Sequence, residues 1–96
     1  MKSHFDIEFL ESTTEKLRAI AHPLRLVLID LLYKSGEMTV TEIYENLEIE
    51  QAVASHHLRI MKNQDIVKVS RSGKNSLYAL TKPEYYFVVK SMIDSQ

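Results

Sequence analysis

Cysteine is missing from the 96 residues, tryptophan is missing too, and there are only two glycines and two prolines. Without a thiol the chain forms no disulfide, no zinc- or arsenic-thiolate centre and no thiol redox switch. Two glycines cannot make a phosphate-cradling loop, and neither an activated nucleophile nor a carboxylate pair stands out, so an enzyme is the weakest reading. No apolar run approaches the roughly 20 residues of a membrane span. Met1-Lys2-Ser3-His4-Phe5-Asp6 leads into no apolar signal-peptide core, so no membrane partner is expected and the expected location is the cytoplasm.

What is present is a globular composition, 45% hydrophobic and 26% charged. Residues 1–96 make one domain, with a core modest enough that an oligomer is reasonable. A formal charge of −1 argues weakly against a nucleic-acid partner, but its distribution argues the other way. Between His56 and Lys82 the cations Arg59, Lys62, Lys68, Arg71, Lys74 and Lys82 face Asp65 alone, a local +5, while the rest of the chain carries −6. A basic region on a near-neutral protein is the electrostatic footprint of a nucleic-acid surface, although chance clustering on a solvated face would look the same.

Residues 3–20 read as helical. Phe5, Phe9 and Leu10 form one apolar patch and Leu17 and Ile20 another. Ser12-Thr13-Thr14 leaves open one helix or two, with Thr13 or Thr14 able to cap the second. His22-Pro23 breaks the pattern, and Pro23 suits a first helical position. Leu24, Val27, Leu28, Leu31 and Leu32 then recur at i, i+3, i+4, i+7 and i+8, the clearest helical stripe and the expected centre of the core. Gly36 ends it. Arg25 and Asp30 fall off the stripe, and a plain surface position is expected for Arg25. Thr39-Val40-Thr41-Glu42 fits a capping box opening a short helix whose inner face is Val40, Ile43, Tyr44 and Leu47.

Leu47-Glu48-Ile49-Glu50 connects tightly to the stretch around which the chain is organised, Gln51 to Lys62. On a helix, Ala54, His57, Leu58 and Met61 form its inner stripe. Gln51, Ala52, Ser55, His56, Arg59 and Lys62 form an outer face with no acid, the kind of face that reads base edges and grips phosphates in a major groove. An ordinary surface helix can look alike. Two short helices so joined make a helix-turn-helix. Glu50 is a mediocre cap whose charge is repulsive near DNA, though it suits the positive end of a helix dipole. After Asp65 the period drops to two. Residues 66–70 read as a strand, 71–75 as a turn with Arg71 and Lys74 at its tip, and 76–80 as a second strand. Such a hairpin after a reading helix is a wing able to grip flanking backbone.

Residues 84–95 form a last helix. Tyr85, Tyr86, Val88, Val89, Met92 and Ile93 cover more than half its circumference, so it either folds onto the domain or, with residues 3–20, packs on a second copy; the second copy is favoured.

Ala21-His22-Pro23-Leu24-Arg25-Leu26, Val40-Thr41-Glu42-Ile43, Gln51-Ala52-Val53-Ala54-Ser55-His56-His57-Leu58, Ile66-Val67 and the hairpin from Arg71 to Leu80 occur in register. Together they resemble the ArsR/SmtB family of winged helix-turn-helix bacterial repressors, well over residues 15–82 and loosely at the terminal helices. The resemblance implies a mostly α fold with a small β-hairpin, in the order four helices, two strands, one helix. It also implies a homodimer built from the first and last helices and a palindromic operator in double-stranded DNA. The reading positions it implies are Gln51, Ser55 and His56, with Arg59 nearer the backbone; His56 stands where members often carry a cation. His57 matches a histidine that tends to be structural, and a hydrogen-bonded core residue is expected there. Thr39-Val40-Thr41 replaces the Cys-Val-Cys of arsenic and cadmium sensors. Lys82, Glu84 and Asp94 replace the histidine-containing set of zinc and nickel sensors. His4, His22, His56 and His57 have no shared helix face, and adjacent His56 and His57 point apart. No metal or other cofactor is expected.

The sequence therefore reads as a homodimeric, sequence-specific transcriptional regulator, more a repressor than an activator. Its DNA-contacting set is Gln51, Ala52, Ser55, His56, Arg59, Lys62, Arg71 and Lys74. A winged-helix protein-interaction module without DNA is the alternative. A small organic effector could bind among Tyr85, Tyr86, Phe5 and Phe9 at the dimer interface, or occupancy could follow protein level alone.

Overall fold

The computed structural model describes residues 2–96. The order is α1 (Ile7–Ile20), α2 (Pro23–Ser35), β1 (Met38–Thr39), α3 (Val40–Leu47), α4 (Gln51–Asn63), β2 (Val67–Ser72), β3 (Asn75–Leu80) and α5 (Glu84–Asp94).

Residues 3–20 hold one helix, not two, and it begins later than the apolar pattern implied. The Asp6 carboxylate caps it by accepting from the Glu8 amide at 2.8 Å and the Phe9 amide at 3.4 Å. Thr13 and Thr14 do not interrupt it because their hydroxyls donate back to the carbonyls of Phe9 and Leu10, four residues earlier. Helix α2 starts with Pro23 behind a His22 cap, whose Nδ1 accepts from the Leu24 amide at 3.1 Å. It ends at Gly36, where a φ of 84° favours glycine. This helix touches α1, α4, α5 and β3, so it is covered on several sides. That is why its stripe is wider than one face: Leu28, Ile29 and Leu32 are buried, and the expected Val27 is 45% exposed while the unexpected Ile29 is fully buried.

The capping box at α3 is present in both directions. Thr39 Oγ1 accepts from the Glu42 amide at 3.1 Å, and the Glu42 carboxylate accepts from the Thr39 amide at 3.0 Å. The bond from the Thr39 amide, with the Thr39 hydroxyl close by, holds the Glu42 carboxyl below its usual pKa. Met38 and Thr39 also pair with Tyr78 and Leu77, forming a third strand that two residues are too short to announce by periodicity. The sheet order is β1-β3-β2, antiparallel throughout, with Val67 opposite Leu80 and Ser72 opposite Asn75. The hairpin strands therefore run further than expected, and the turn shrinks to Gly73-Lys74. Gly73, the first of the two, has a φ of 62°, which suits a type II′ turn. Arg71 consequently lies in the strand, and only Lys74 occupies the tip.

The core joins Ala19, Ile20, Leu28, Ile29, Leu32, Met38, Ile43, Ala54, Leu58, Met61, Ile66, Val67 and Val89. Two helix ends are closed by cations from elsewhere. Lys16 Nζ donates to the Gln64 carbonyl at the end of α4, at 2.7 Å. Arg25 Nη1 donates to the Ala19 carbonyl at the end of α1, at 3.0 Å. Arg25 is thus half-buried and structural rather than a plain surface residue, because a guanidinium neutralises the negative end of a helix dipole.

The terminal helices are poorly covered. Of α5 only Val89 is buried, and of α1 only Ala19 and Ile20. The radius of gyration is 14.5 Å, against about 12.5 Å for a compact chain of this length. Thr39→Ala removes half of the capping box and is expected to lower stability by about 1 kcal/mol, read as a lower urea midpoint with an unchanged slope.

Candidate nucleic-acid interface

Burial of Ala54, His57, Leu58 and Met61 sets the rotation of α4. With 3.6 residues per turn, that leaves Ala52, His56, Arg59 and Asn63 in a line at i, i+4, i+7 and i+11, and all of them are exposed. Gln51 and Lys62 are exposed beside the line and Ser55 is half-buried at its edge. Asn63 and the 37% exposed Val53 were not among the residues the sequence singled out. The spacing from Ala52 and His56 is the signal that finds Asn63; Val53 carried no signal, since an apolar residue reads as core. Arg59 Nη2 lies 3.5 Å from His56 Nδ1. If the arginine donates there, the imidazole keeps its proton on Nε2.

The turn into α4 is tight. Glu48 is left-handed (φ 54°, ψ 46°), and the Ile49 amide donates to the Tyr44 carbonyl at 3.1 Å. At the other end Asp65, with φ 57°, turns the chain out of α4, and the Ile66 amide returns to the Met61 carbonyl at 2.9 Å. Thr81 latches the hairpin to this turn. Its amide and hydroxyl both donate to the Ile66 carbonyl at 3.1 Å, and the hydroxyl also reaches the Asp65 carbonyl. The wing is thereby tied to the end of α4.

On β2, Lys68 and Arg71 fall on opposite faces by strand alternation, and Arg71 Nη1 lies 3.5 Å from Ser76 Oγ. The ion pairs among the described residues are Arg18–Glu15, Lys34–Asp30 and Lys90–Asp94. None involves Arg59, Lys62, Lys68, Arg71, Lys74 or Lys82, all of which are exposed. The basic segment is therefore not neutralised by the protein's own carboxylates.

Beneath this face His57 is buried at 8% exposure. It is a core histidine as expected, but its Nδ1 has no hydrogen-bond partner. It packs instead on the His22 ring, with centroids 4.4 Å apart. His56 and His57 do divide between solvent and core, yet their centroids are only 5.0 Å apart, because consecutive side chains on a helix diverge from a common backbone. Among the described residues no group of three His, Cys, Asp or Glu is placed to hold a metal ion.

Of the four aromatics singled out for an effector at the dimer interface, three have aromatic neighbours within one copy. Phe5 and Phe9 pack on each other, with centroids 6.4 Å apart, while Tyr86 stacks on Tyr33 at 3.9 Å. The hollow between the terminal helices, about 370 Å³, is lined instead by aliphatic residues including Leu17, Ile20, Val88, Met92 and Ile93.

Residues 22–69 match the family described as "Bacterial regulatory protein, arsR family". The chain is 33% identical over 81 residues to the transcriptional repressor PagR of Bacillus anthracis, a span covering 84% of this chain and 81% of that protein. It is 36% identical over 73 residues to the HTH-type transcriptional repressor SmtB of Mycobacterium tuberculosis, 76% of this chain and 53% of that one. The crystal structure of PagR aligns with a TM-score of 0.82 at 31% identity, over 91% of this chain and 99% of that chain. A homodimeric winged helix-turn-helix domain from Mycobacterium bovis aligns with a TM-score of 0.84 over 100% of this chain and 93% of that chain; at 24% identity it bears on the fold alone.

Burial, with the nearby His22, Arg25 and His56, pushes the His57 pKa down. The folded state thus disfavours the imidazolium, while the unfolded chain takes up a proton near the usual value of about 6.5. Stability is full above that value and falls as pH drops below it toward the depressed one. The fall in thermal midpoint between about pH 6.5 and 5 should be shallower in His57→Leu than in the parent chain.

Proposed function

Since this chain belongs to the arsR family of bacterial regulatory proteins, we propose that it is a homodimeric, sequence-specific DNA-binding transcriptional repressor. The observation that carries the reading is the unpaired basic segment. Exposed cations continue from the outer face of α4 into a hairpin packed against that helix, and no carboxylate of the described residues neutralises them. A protein-docking role without DNA leaves that segregation of charge without a purpose. No described helix is long and apolar enough to cross a membrane, and the cytoplasm, where bacterial DNA lies, is the place such a repressor works.

In this reading α4 enters the major groove. Ser55 and His56 donate to base acceptors, Gln51 uses both ends of its amide, and the Ala52 methyl meets a thymine methyl. Arg59 and Lys62 hold phosphates beside the groove, and Arg71 and Lys74 hold the flanking backbone from the wing. Two copies present two such helices to successive major grooves, about 34 Å and one helical turn apart, which makes the operator palindromic.

The exposed apolar residues support the second copy. Phe5, Ile7, Phe9 and Leu17 at one end of the chain and Phe87, Val88, Met92 and Ile93 at the other are 44–67% exposed. Burying each side chain fully is worth about 1.5–3 kcal/mol, so pairing through α1 and α5 is strongly favoured.

A gel shift on the DNA upstream of the protein's own gene, at several salt concentrations, tests the reading. Binding should be sequence-dependent, and its logarithm should fall linearly with log salt. Alanine at Arg59, Lys62, Arg71 or Lys74 should weaken all sequences alike and reduce the slope by about 0.9 per phosphate contact, so roughly 2 per dimer. Alanine at Ser55 or His56 should instead relax base preference by about 1–3 kcal/mol per position. The absence of any salt-sensitive, sequence-dependent complex would refute the proposal.

Met92→Glu places a charge in the apolar hollow between α1 and α5. Analytical ultracentrifugation should show a monomer that remains folded by circular dichroism, and operator affinity should drop at least a hundredfold because only one reading helix engages.

A further inference from the structure

We propose that Glu50 reads sequence, its carboxylate accepting a hydrogen bond from the exocyclic amino group of a cytosine in each half-site. This rests on the DNA-binding reading above and deepens it. Helices α1, α2 and α3 each begin under a side chain that accepts from their first free amides: Asp6, His22 and Thr39. Helix α4 does not. Glu50 has the extended backbone of an N-cap (φ −70°, ψ 147°), yet its side chain accepts nothing from the helix. It is exposed and enters none of the ion pairs among the described residues.

Serine, threonine, aspartate or asparagine would satisfy one of those amides, so glutamate forgoes a stabilising cap at the start of the helix that carries the interface. A local rule broken at such a place points to a functional demand. The positive end of the α4 dipole favours a negative charge there, and in a helix-turn-helix the first residues of the second helix are the ones brought to base edges. An ionised carboxylate only accepts. The major-groove donors are cytosine N4 and adenine N6, and adenine sets an N7 acceptor beside its donor, which repels a carboxylate. Cytosine is the matching base. At other positions the same carboxylate faces phosphates or base acceptors and is repelled, so one residue attracts the right site and penalises wrong ones.

Selection from a random DNA pool with the full chain, Glu50→Gln and Glu50→Ser tests this. The parent chain should enrich cytosine at one symmetric position of each half-site by about tenfold. Glu50→Gln should move that position to adenine, because an amide both accepts and donates. Glu50→Ser should flatten it and raise affinity for unrelated DNA. Its thermal midpoint should also rise, because serine caps α4, so the lost preference is not lost folding. An identical consensus in all three proteins, even with tighter non-specific binding by the variants, would overturn the proposal and leave DNA reading intact. A parent chain that selects no consensus would overturn both.

Discussion

The rest of the structure depends on the burial of one narrow stripe. Ala54, Leu58 and Met61 are completely excluded from solvent and His57 nearly so. Because these positions recur at the helical period, burying them leaves no freedom in the rotation of α4 about its axis. The outward line through Ala52, His56, Arg59 and Asn63 follows directly from that constraint. A slip by one residue would bring Arg59 toward the core, at a desolvation cost that no contact there offsets. Recognition and folding are thus two faces of one helix, and the small methyl of Ala54 lets α4 approach its neighbours closely.

The elements around α4 are held by a few directed bonds at their ends. Lys16 closes the end of α4, Arg25 closes the end of α1, and Thr81 ties the hairpin to the turn after α4. Each bond joins two different elements, the Lys16 and Thr81 bonds across long stretches of chain and the Arg25 bond across the short turn between α1 and α2, and each satisfies backbone groups that a helix or strand leaves open. The reading helix and the wing consequently behave as one unit. Two left-handed residues, Glu48 and Asp65, bracket α4. That conformation is uncommon for glutamate but readily adopted by aspartate, so the turn into α4 is held by the neighbouring packing, while local preference supports the turn out of it.

The division of labour along the chain is electrostatic as well as geometric. Acids outnumber cations two to one outside residues 56–82, while inside them the cations stand nearly alone. The near-neutral total limits indiscriminate attraction to nucleic acid, and the local excess preserves grip where the helix and wing lie. The terminal helices carry the opposite specialisation. They bury little apolar surface in their own core and leave a broad aliphatic and aromatic face exposed, the face through which pairing is proposed.

Much of this was legible from residue order. The α4 stripe, the capping box at Thr39 and Glu42, the stop at Gly36 and the hairpin are local patterns with local causes, and the amino-acid sequence determines them by period and by turn chemistry. Only the tertiary structure decided what depends on neighbours distant in the chain. Ile29 rather than Val27 is buried because α2 is enclosed on several sides. Arg25 serves the end of α1, and His57 sits against His22 with its Nδ1 unpartnered. Periodicity reports which face of a segment is apolar, but which partner meets that face, and which polar group is closed in with it, is set by packing between segments that the order of residues leaves apart.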